Sequence, residues 1–201
     1  MNARIEAMND DYHDDLFTKE IIDGKIYLMA PPSKKHRLVQ ANLLKMFNDY
    51  FGRNKKKCAA VFEVEFYIDD ENYFEPDVLI YCRDNNEKKG RKLPVIIIEV
   101  LSGSTWKKDM TVKMIKYAGA GIEEYWTVDY RSQILNIYKL KDGEYYWHET
   151  YNYPIEEELS SVREAREKEL SEAVKEFSPV SFPDMPILLE EVFSFGALDI
   201  I

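Results

Sequence analysis

The chain has 201 residues, 45% hydrophobic and 32% charged, which excludes a staple-dependent miniprotein and favours one globular domain with an embellishment over two full domains of roughly 100–200 residues each. Fourteen Tyr and ten Phe supply enough apolar surface to exclude global disorder, and two cysteines, Cys58 and Cys82, are too few for a disulfide framework or a tetrahedral zinc site. The net charge of −10 excludes a uniformly basic nucleic-acid binder, but residues 154–201 carry 12 acidic against 4 basic side chains and leave the preceding three quarters nearly neutral.

Residues 1–15 are acidic, lack an apolar signal-like run, and are expected to form a flexible N-terminus. No apolar stretch approaches the ~20 residues of a membrane span. With only two cysteines, this predicts a soluble protein of a reducing, cytoplasmic compartment. Along residues 36–51, Val39, Leu43, Met46/Phe47 and Tyr50 recur at helical spacing behind the turn Pro31-Pro32-Ser33. From Val61 the period becomes two, with Phe62, Val64, Phe66 and Ile68 on one face and Glu63, Glu65 and Tyr67 on the other, which predicts a half-wet strand. Pro76 opens a second strand over 77–82, and Val95-Ile96-Ile97-Ile98 reads as a central strand buried on both faces. Ser102 to Thr105 supplies turn and cap residues for a helix from Trp106 to Ala118, which Gly119-Ala120-Gly121 stops. A strand at 124–129 and a hairpin turning at Lys141-Asp142-Gly143 complete a mixed sheet flanked by helices. Residues 156–177 repeat a thin apolar stripe in a charged sequence and predict an amphipathic helix on the surface or against a partner subunit.

Glu99 is the most informative residue, because it interrupts an apolar strand, where an unpartnered carboxylate would cost several kcal/mol or become protonated. Its compensation can be a basic side chain, a proton shared with another polar group, or a bound cation. Asp77, at the start of the preceding strand, would lie beside it if the two strands are neighbours. Two carboxylates and a backbone carbonyl form a hard, all-oxygen set suited to Mg²⁺ or Mn²⁺. Asp109, Lys113 and Lys116 fall at i, i+4 and i+7, so that a lysine on that helix face could reach back over the carboxylates; the bland alternative is an exposed Asp109–Lys113 pair worth about 0.3–0.5 kcal/mol.

Pro76-Asp77 followed by Glu99 in an apolar strand resembles the P-D…(D/E)-x-K core of the restriction-endonuclease-like nuclease superfamily. More closely, Glu20-Ile21-Ile22-Asp23-Gly24, Met29-Ala30-Pro31-Pro32 with His36, Pro76-Asp77-Val78, Glu99-Val100-Leu101-Ser102 and the stretch 109–129 are similar to the bacterial "putative restriction endonuclease" family of the Uma-two type. The resemblance covers about residues 16–140. It implies an α/β (α+β) fold, a mixed sheet with an αβββαβ core flanked by helices, in a nuclease-like domain over 16–153 followed by an acidic helical extension and tail over 154–201.

The same resemblance implies a Mg²⁺- or Mn²⁺-dependent endonuclease acting on DNA, with Asp77 and Glu99 as metal carboxylates. Leu101 stands where the superfamily places its lysine, and Lys113 matches the position on the following helix to which the family is thought to have moved it, with Lys116 as substitute. Glu20 resembles an additional acidic residue near the metals, and His36 matches a histidine often seen in the family. A nuclease cutting both strands needs two sites, so a homodimer is expected, and no membrane partner is. The rival expectation is a catalytically inactive nuclease-fold module that binds nucleic acid or protein; a hydrolase of small phosphorylated substrates is a third.

Overall fold

The structure is a computed structural model that describes residues 18–83, 87–88, 91–103, 105–155, 159 and 161–196. The expected N-terminal segment 1–15 lies outside the described residues. A hairpin, β1 (Thr18–Ile22) and β2 (Lys25–Met29), leads into the helix α1 (Lys34–Arg53), whose first turn is capped by the Ser33 hydroxyl accepting from the His36 N–H at 3.2 Å. Next come β3 (Cys58–Val61), β4 (Phe66–Tyr67), β5 (Tyr73–Phe74), β6 (Val78–Cys82), the short pair β7 (Glu87–Lys88) and β8 (Arg91–Lys92), and β9 (Ile96–Val100). One continuous helix, α2 (residues 106–120), then runs through an α-helical turn Trp106–Lys108, a π-helical turn Asp109–Lys113 and an α-helical end Met114–Ala120, and stops at Gly121 with φ of 89°. Strands β10 (Glu124–Asp129), β11 (Ile134–Lys141) and β12 (Glu144–Asn152) follow, and then α3 (Arg163–Glu172), β13 (Glu176–Phe177), β14 (Ile187–Leu188) and α4 (Leu189–Val192).

The main sheet has the order β12-β11-β10-β9-β6-β3, antiparallel throughout except for the parallel pair β9 and β10 that α2 connects. Read along the chain, α1, β3, β6, β9, α2 and β10 form the expected αβββαβ core. A smaller sheet, β2-β1-β5-β4, stands beside it. The β9 residues are buried on both faces, and their alternation sorts them: Ile96, Ile98 and Val100 pack with α1, whereas Ile97 packs with Leu79 and Tyr117 on the α2 side. Glu99 shares parity with Ile97 and therefore faces α2. Among the described residues no helix is long and apolar enough to cross a membrane.

Three expectations change. The half-wet strand from Val61 to Ile68 does not form as one piece, because Glu63 adopts a left-handed φ of 48° and breaks it, leaving Phe62 and Val64 exposed. The helix expected over 156–177 is reduced to α3, which buries none of its residues; residues 156–158 and 160 lie outside the described set. Phe177 instead enters β13 and packs on Trp126 and Tyr151, with ring centroids 5.4 and 4.3 Å away. Phe182, Met185, Ile187, Leu189, Val192 and Phe193 of the tail then close the same core over α1. Cys58 and Cys82, for which spacing alone offered no pairing, face each other across the β3–β6 ladder as a disulfide.

Candidate active site

Antiparallel pairing of β6 and β9 sets Val78 opposite Ile98 and Leu79 opposite Ile97. The ladder ends there, and Asp77, just before β6, turns its side chain to α1 and to the Val100 N–H, at the cleft that Glu99 faces from the α2 side. The two carboxylates line one cleft of about 220 Å³ together with Glu20, Asp109, Lys113, His36 and the hydroxyls of Ser33, Ser102, Thr105 and Tyr130. Four chain segments meet there: β1 brings Glu20, α1 brings His36, the β6–β9 ends bring Asp77 and Glu99, and the π-helical turn of α2 brings Asp109 and Lys113.

Asp77 is held firmly. Its Oδ1 accepts from Gln40 Nε2 at 2.9 Å, and its Oδ2 accepts from the Val100 N–H at 2.6 Å with His36 Nε2 at 3.4 Å. Burial pulls the His36 imidazole down, but hydrogen bonding and charge from Asp77, with the Val100 carbonyl, outweigh it and hold the histidine above its ordinary range. Lys113 lies at the centre of the other half. Its ammonium is 2.7 Å from Glu20 Oε1, 3.0 Å from Glu99 Oε1 and 3.3 Å from Asp109 Oδ1. Tyr117 also donates to Glu99 Oε1, at 2.8 Å, while Lys108 reaches Glu20 Oε2 at 3.0 Å and stands 5.0 Å over the Tyr27 ring.

Burial pushes Glu99 well above the ordinary carboxylate range, and the neighbouring acids Asp109, Asp77 and Glu20 push it the same way against Lys113. Asp109 is likewise raised, chiefly by burial. Glu20 goes down, because Lys113 and Lys108 outweigh its burial. For Lys113, burial favours the neutral amine, yet Glu99, Asp109 and Glu20 raise it well above the ordinary lysine value and keep it charged. Six carboxylates line the cleft, Glu20, Glu63, Glu75, Asp77, Glu99 and Asp109, against Lys113 and His36, an excess of acidic groups that favours a cation. Asp109 Oδ1 adds a buried oxygen with no well-directed hydrogen bond. Among the described residues no three His, Cys, Asp or Glu side chains converge on one metal position. Asp77 and Glu99 are hard oxygen donors of the kind that suits a divalent cation.

Of the residues singled out from the sequence, Asp77, Glu99, Lys113, Glu20 and His36 come together in this cleft. Lys116 does not: its ammonium pairs with Asp23 in the β1–β2 turn. Glu63 also lines the cleft, 3.7 Å from Arg37, and Glu65 accepts from Tyr67 instead. Asp109 differs from the exposed i,i+4 partner weighed in the sequence, because it is only 1% exposed and Lys113 2%. Gln40 and Tyr117 are not among the residues the sequence singles out, and Lys108 stands out there only as half of the basic pair Lys107-Lys108. For Gln40 the signal was present, a polar residue on the apolar face of α1 four positions after His36.

A family model described as "Putative restriction endonuclease", that of the Uma-two type, matches residues 7–172. Among solved structures, a nuclease of Anabaena variabilis described as putative and "belonging to DUF820" is similar in fold, with a TM-score of 0.59 and 18% identity over 88% of this chain and 89% of that one. No curated protein matches the sequence. The match over most of the length shows that this chain belongs to the restriction endonuclease-like family of the Uma-two type, and the solved relative shows a shared nuclease-like fold.

Proposed function

We propose that the chain is a Mg²⁺- or Mn²⁺-dependent endonuclease that hydrolyses phosphodiester bonds in DNA. The observation that carries this reading is the convergence of Asp77 and Glu99 on one cleft at the ends of β6 and β9, with Lys113 on the same Glu99 oxygen that Tyr117 binds. Asp77 and Glu99 would hold the cation, joined by the Val100 carbonyl. Both donors to Glu99 bind Oε1, which would leave Oε2 for the cation. Gln40, the Val100 N–H and His36 fix Asp77 so that its free lone pairs face a constant direction. When bound, the metal would polarise the scissile phosphate and lower the pKa of its water.

Lys113 remains an ammonium in this setting, so its part is to orient the attacking water and to offset charge that develops on the phosphate. Glu20 assists from outside the metal's own ligands by fixing Lys113 at 2.7 Å. A homodimer would give one site per strand, and light scattering that finds a monomer across the micromolar range would overturn it. A DNA substrate would put the enzyme in the cytoplasm, and the Cys58–Cys82 bridge, a feature more usual of oxidising compartments, runs against the reducing compartment expected from the cysteine count.

The deciding experiment is cleavage of supercoiled plasmid with Mg²⁺ or Mn²⁺ by the wild type and by Asp77→Ala purified in parallel. Nicking by the wild type alone supports the proposal. Equal nicking by both overturns the site, and nicking by neither transfers the assignment to a binding module of the same fold or to a different phosphorylated substrate.

A further inference from the structure

The lysine of this cleft comes from a helix, and a helix offers no strand register to aim it. What fixes it is the π-helical turn Asp109–Lys113 in the middle of α2. In an α-helix the Lys113 N–H would bond to the Asp109 carbonyl four residues back, whereas a π turn shifts that bond by one residue and disturbs the carbonyl's usual pairing. Here the Asp109 carbonyl receives a different donor, the hydroxyl of Tyr125 in β10, at 2.9 Å and fully buried. A side chain inserted into the helical ladder is a recognised cause of such local rearrangement. Within the turn, Asp109 and Lys113 remain on one side and both line the cleft, 3.3 Å apart. Asp109 Oδ1 has no well-directed donor, so the electrostatic pull of Lys113 is its main compensation.

We propose that Tyr125 and Asp109 are positioning residues for Lys113: the Tyr125 hydroxyl holds the π-helical turn open through the Asp109 carbonyl, and the Asp109 carboxylate holds the ammonium against Glu99. The inference rests on the nuclease reading of the same cleft, and it assigns roles to two residues that touch neither metal nor phosphate. Lys113 sits among three carboxylates from three segments, Glu20, Glu99 and Asp109. Glu20 and Glu99 set its distance from the small sheet and from β9. Asp109 is the one of the three on the same helix as Lys113, so it fixes the ammonium relative to the π-helical turn itself. Tyr125 ties that helix turn to β10, the strand that pairs with β9 and sets Thr127 beside Glu99.

The test uses Tyr125→Phe, Asp109→Asn and Asp109→Glu with two readouts. The first is plasmid nicking, from which kcat and KM are separated. A misplacement of a charged group by about 1 Å costs on the order of 100-fold, so Asp109→Asn should lower kcat about 100-fold and Tyr125→Phe about 10-fold, both with KM within about twofold, and Asp109→Glu should recover part of the loss. The second readout needs no activity: reductive methylation of the intact protein with formaldehyde and borohydride, followed by mass spectrometry of the Lys113 peptide. Wild-type Lys113 is 2% exposed and should label slowly, whereas Tyr125→Phe and Asp109→Asn should label about 10-fold faster. Unchanged labelling, or faster labelling with kcat and KM both unchanged, would overturn the positioning roles even if the melting temperature falls. A wild type that labels slowly but never nicks would sink the nuclease reading, and methylation alone would then decide whether Tyr125 and Asp109 hold Lys113. Tyr125→Phe removes a single oxygen and keeps the test open if Asp109→Asn does not fold.

Discussion

Glu99 and Glu124 stand in the neighbouring strands β9 and β10, 2% and 1% exposed, yet their surroundings differ in kind. Glu124 is finished. Its Oε1 accepts from Trp126 Nε1 at 2.8 Å and the Val180 N–H at 3.1 Å, and its Oε2 accepts from the Ser181 N–H at 2.8 Å and the Ser181 hydroxyl at 2.6 Å. Its charge is spread over four neutral donors, and the result is a clasp that fixes the C-terminal tail to the sheet. Glu99 instead meets a lysine and a tyrosine on one oxygen, and burial first, then three other carboxylates, keep it well above the ordinary acid range against Lys113. A buried carboxylate satisfied by dipoles is part of the scaffold; one that shares a cleft with other acids is the kind of group the proposed reading assigns to a cation.

Substituting the two glutamates separately should break this contrast if it is wrong. Glu99→Gln should abolish nicking, a loss of at least about 1,000-fold or roughly 4 kcal/mol in the activation barrier, while the melting temperature stays level or rises because a buried charge and its repulsion with Asp109, Asp77 and Glu20 are removed, outweighing the lost attraction of Lys113. Glu124→Ala should do the reverse. Stripping the acceptor from four buried donors should cost about 3 kcal/mol in chemical denaturation and loosen the tail, with nicking per folded molecule unchanged. A Glu124→Ala protein that is as stable as the wild type, or one that is stable but inactive, would erase the distinction.

The two glutamates also show what a sequence displays and what it hides. Glu99 is visible because one charge interrupts Ile96–Val100, and its partner Asp77 follows from proline placing the start of the adjacent strand. Glu124 passes unnoticed, since it opens β10 directly after another acid and its donors at Val180 and Ser181 lie 56 and 57 residues away. A mixed sheet flanked by helices is legible for the same reason as Glu99, since most elements have their own apolar period, whereas the αβββαβ core follows only from the resemblance and its first strand, Cys58–Val61, lies ahead of the alternating run. Where a single backbone angle or a distant contact decides, the period misleads. Glu63 breaks an alternating run by its left-handed φ, and Phe177 leaves a helical stripe because Trp126 and Tyr151 offer it a core. The π-helical turn has an ordinary helical composition, Asp-Met-Thr-Val-Lys, and the contact that marks it comes from Tyr125, sixteen residues on.

A metal titration sharpens the contrast without relying on catalysis. Mn²⁺ at about 100 times its dissociation constant should stabilise the wild type by about 2.7 kcal/mol through mass action, visible as a rise in melting temperature. Glu124→Ala should show the same increment from a lower baseline, and Glu99→Gln and Asp77→Asn should show little. Equal increments in all four proteins would mean that the ion binds elsewhere.

The smallest effect, and the one with a definite sign, concerns Glu20, a third buried carboxylate that sides with neither of the other two. Lys113 and Lys108 hold it below its ordinary value of 4.5 in spite of burial. A carboxyl lowered on folding contributes stability that is fully present above its unfolded pKa and disappears as the pH falls through the folded one. At pH 7, Glu20→Gln should therefore be less stable than the wild type by about 1–2 kcal/mol, and the gap should close as the pH drops below 4.5. For the raised pair Glu99 and Asp109 the sign is opposite: their ionisation weakens the fold as the pH rises, so Glu99→Gln should gain on the wild type from acid to neutral pH in metal-free buffer. Denaturant midpoints measured from pH 3.5 to 7.5 for both variants would test this. Gaps that move in the same direction would mean that Glu20 and Glu99 share one environment, and that the lysines do not divide the cleft into a compensated half and an uncompensated one.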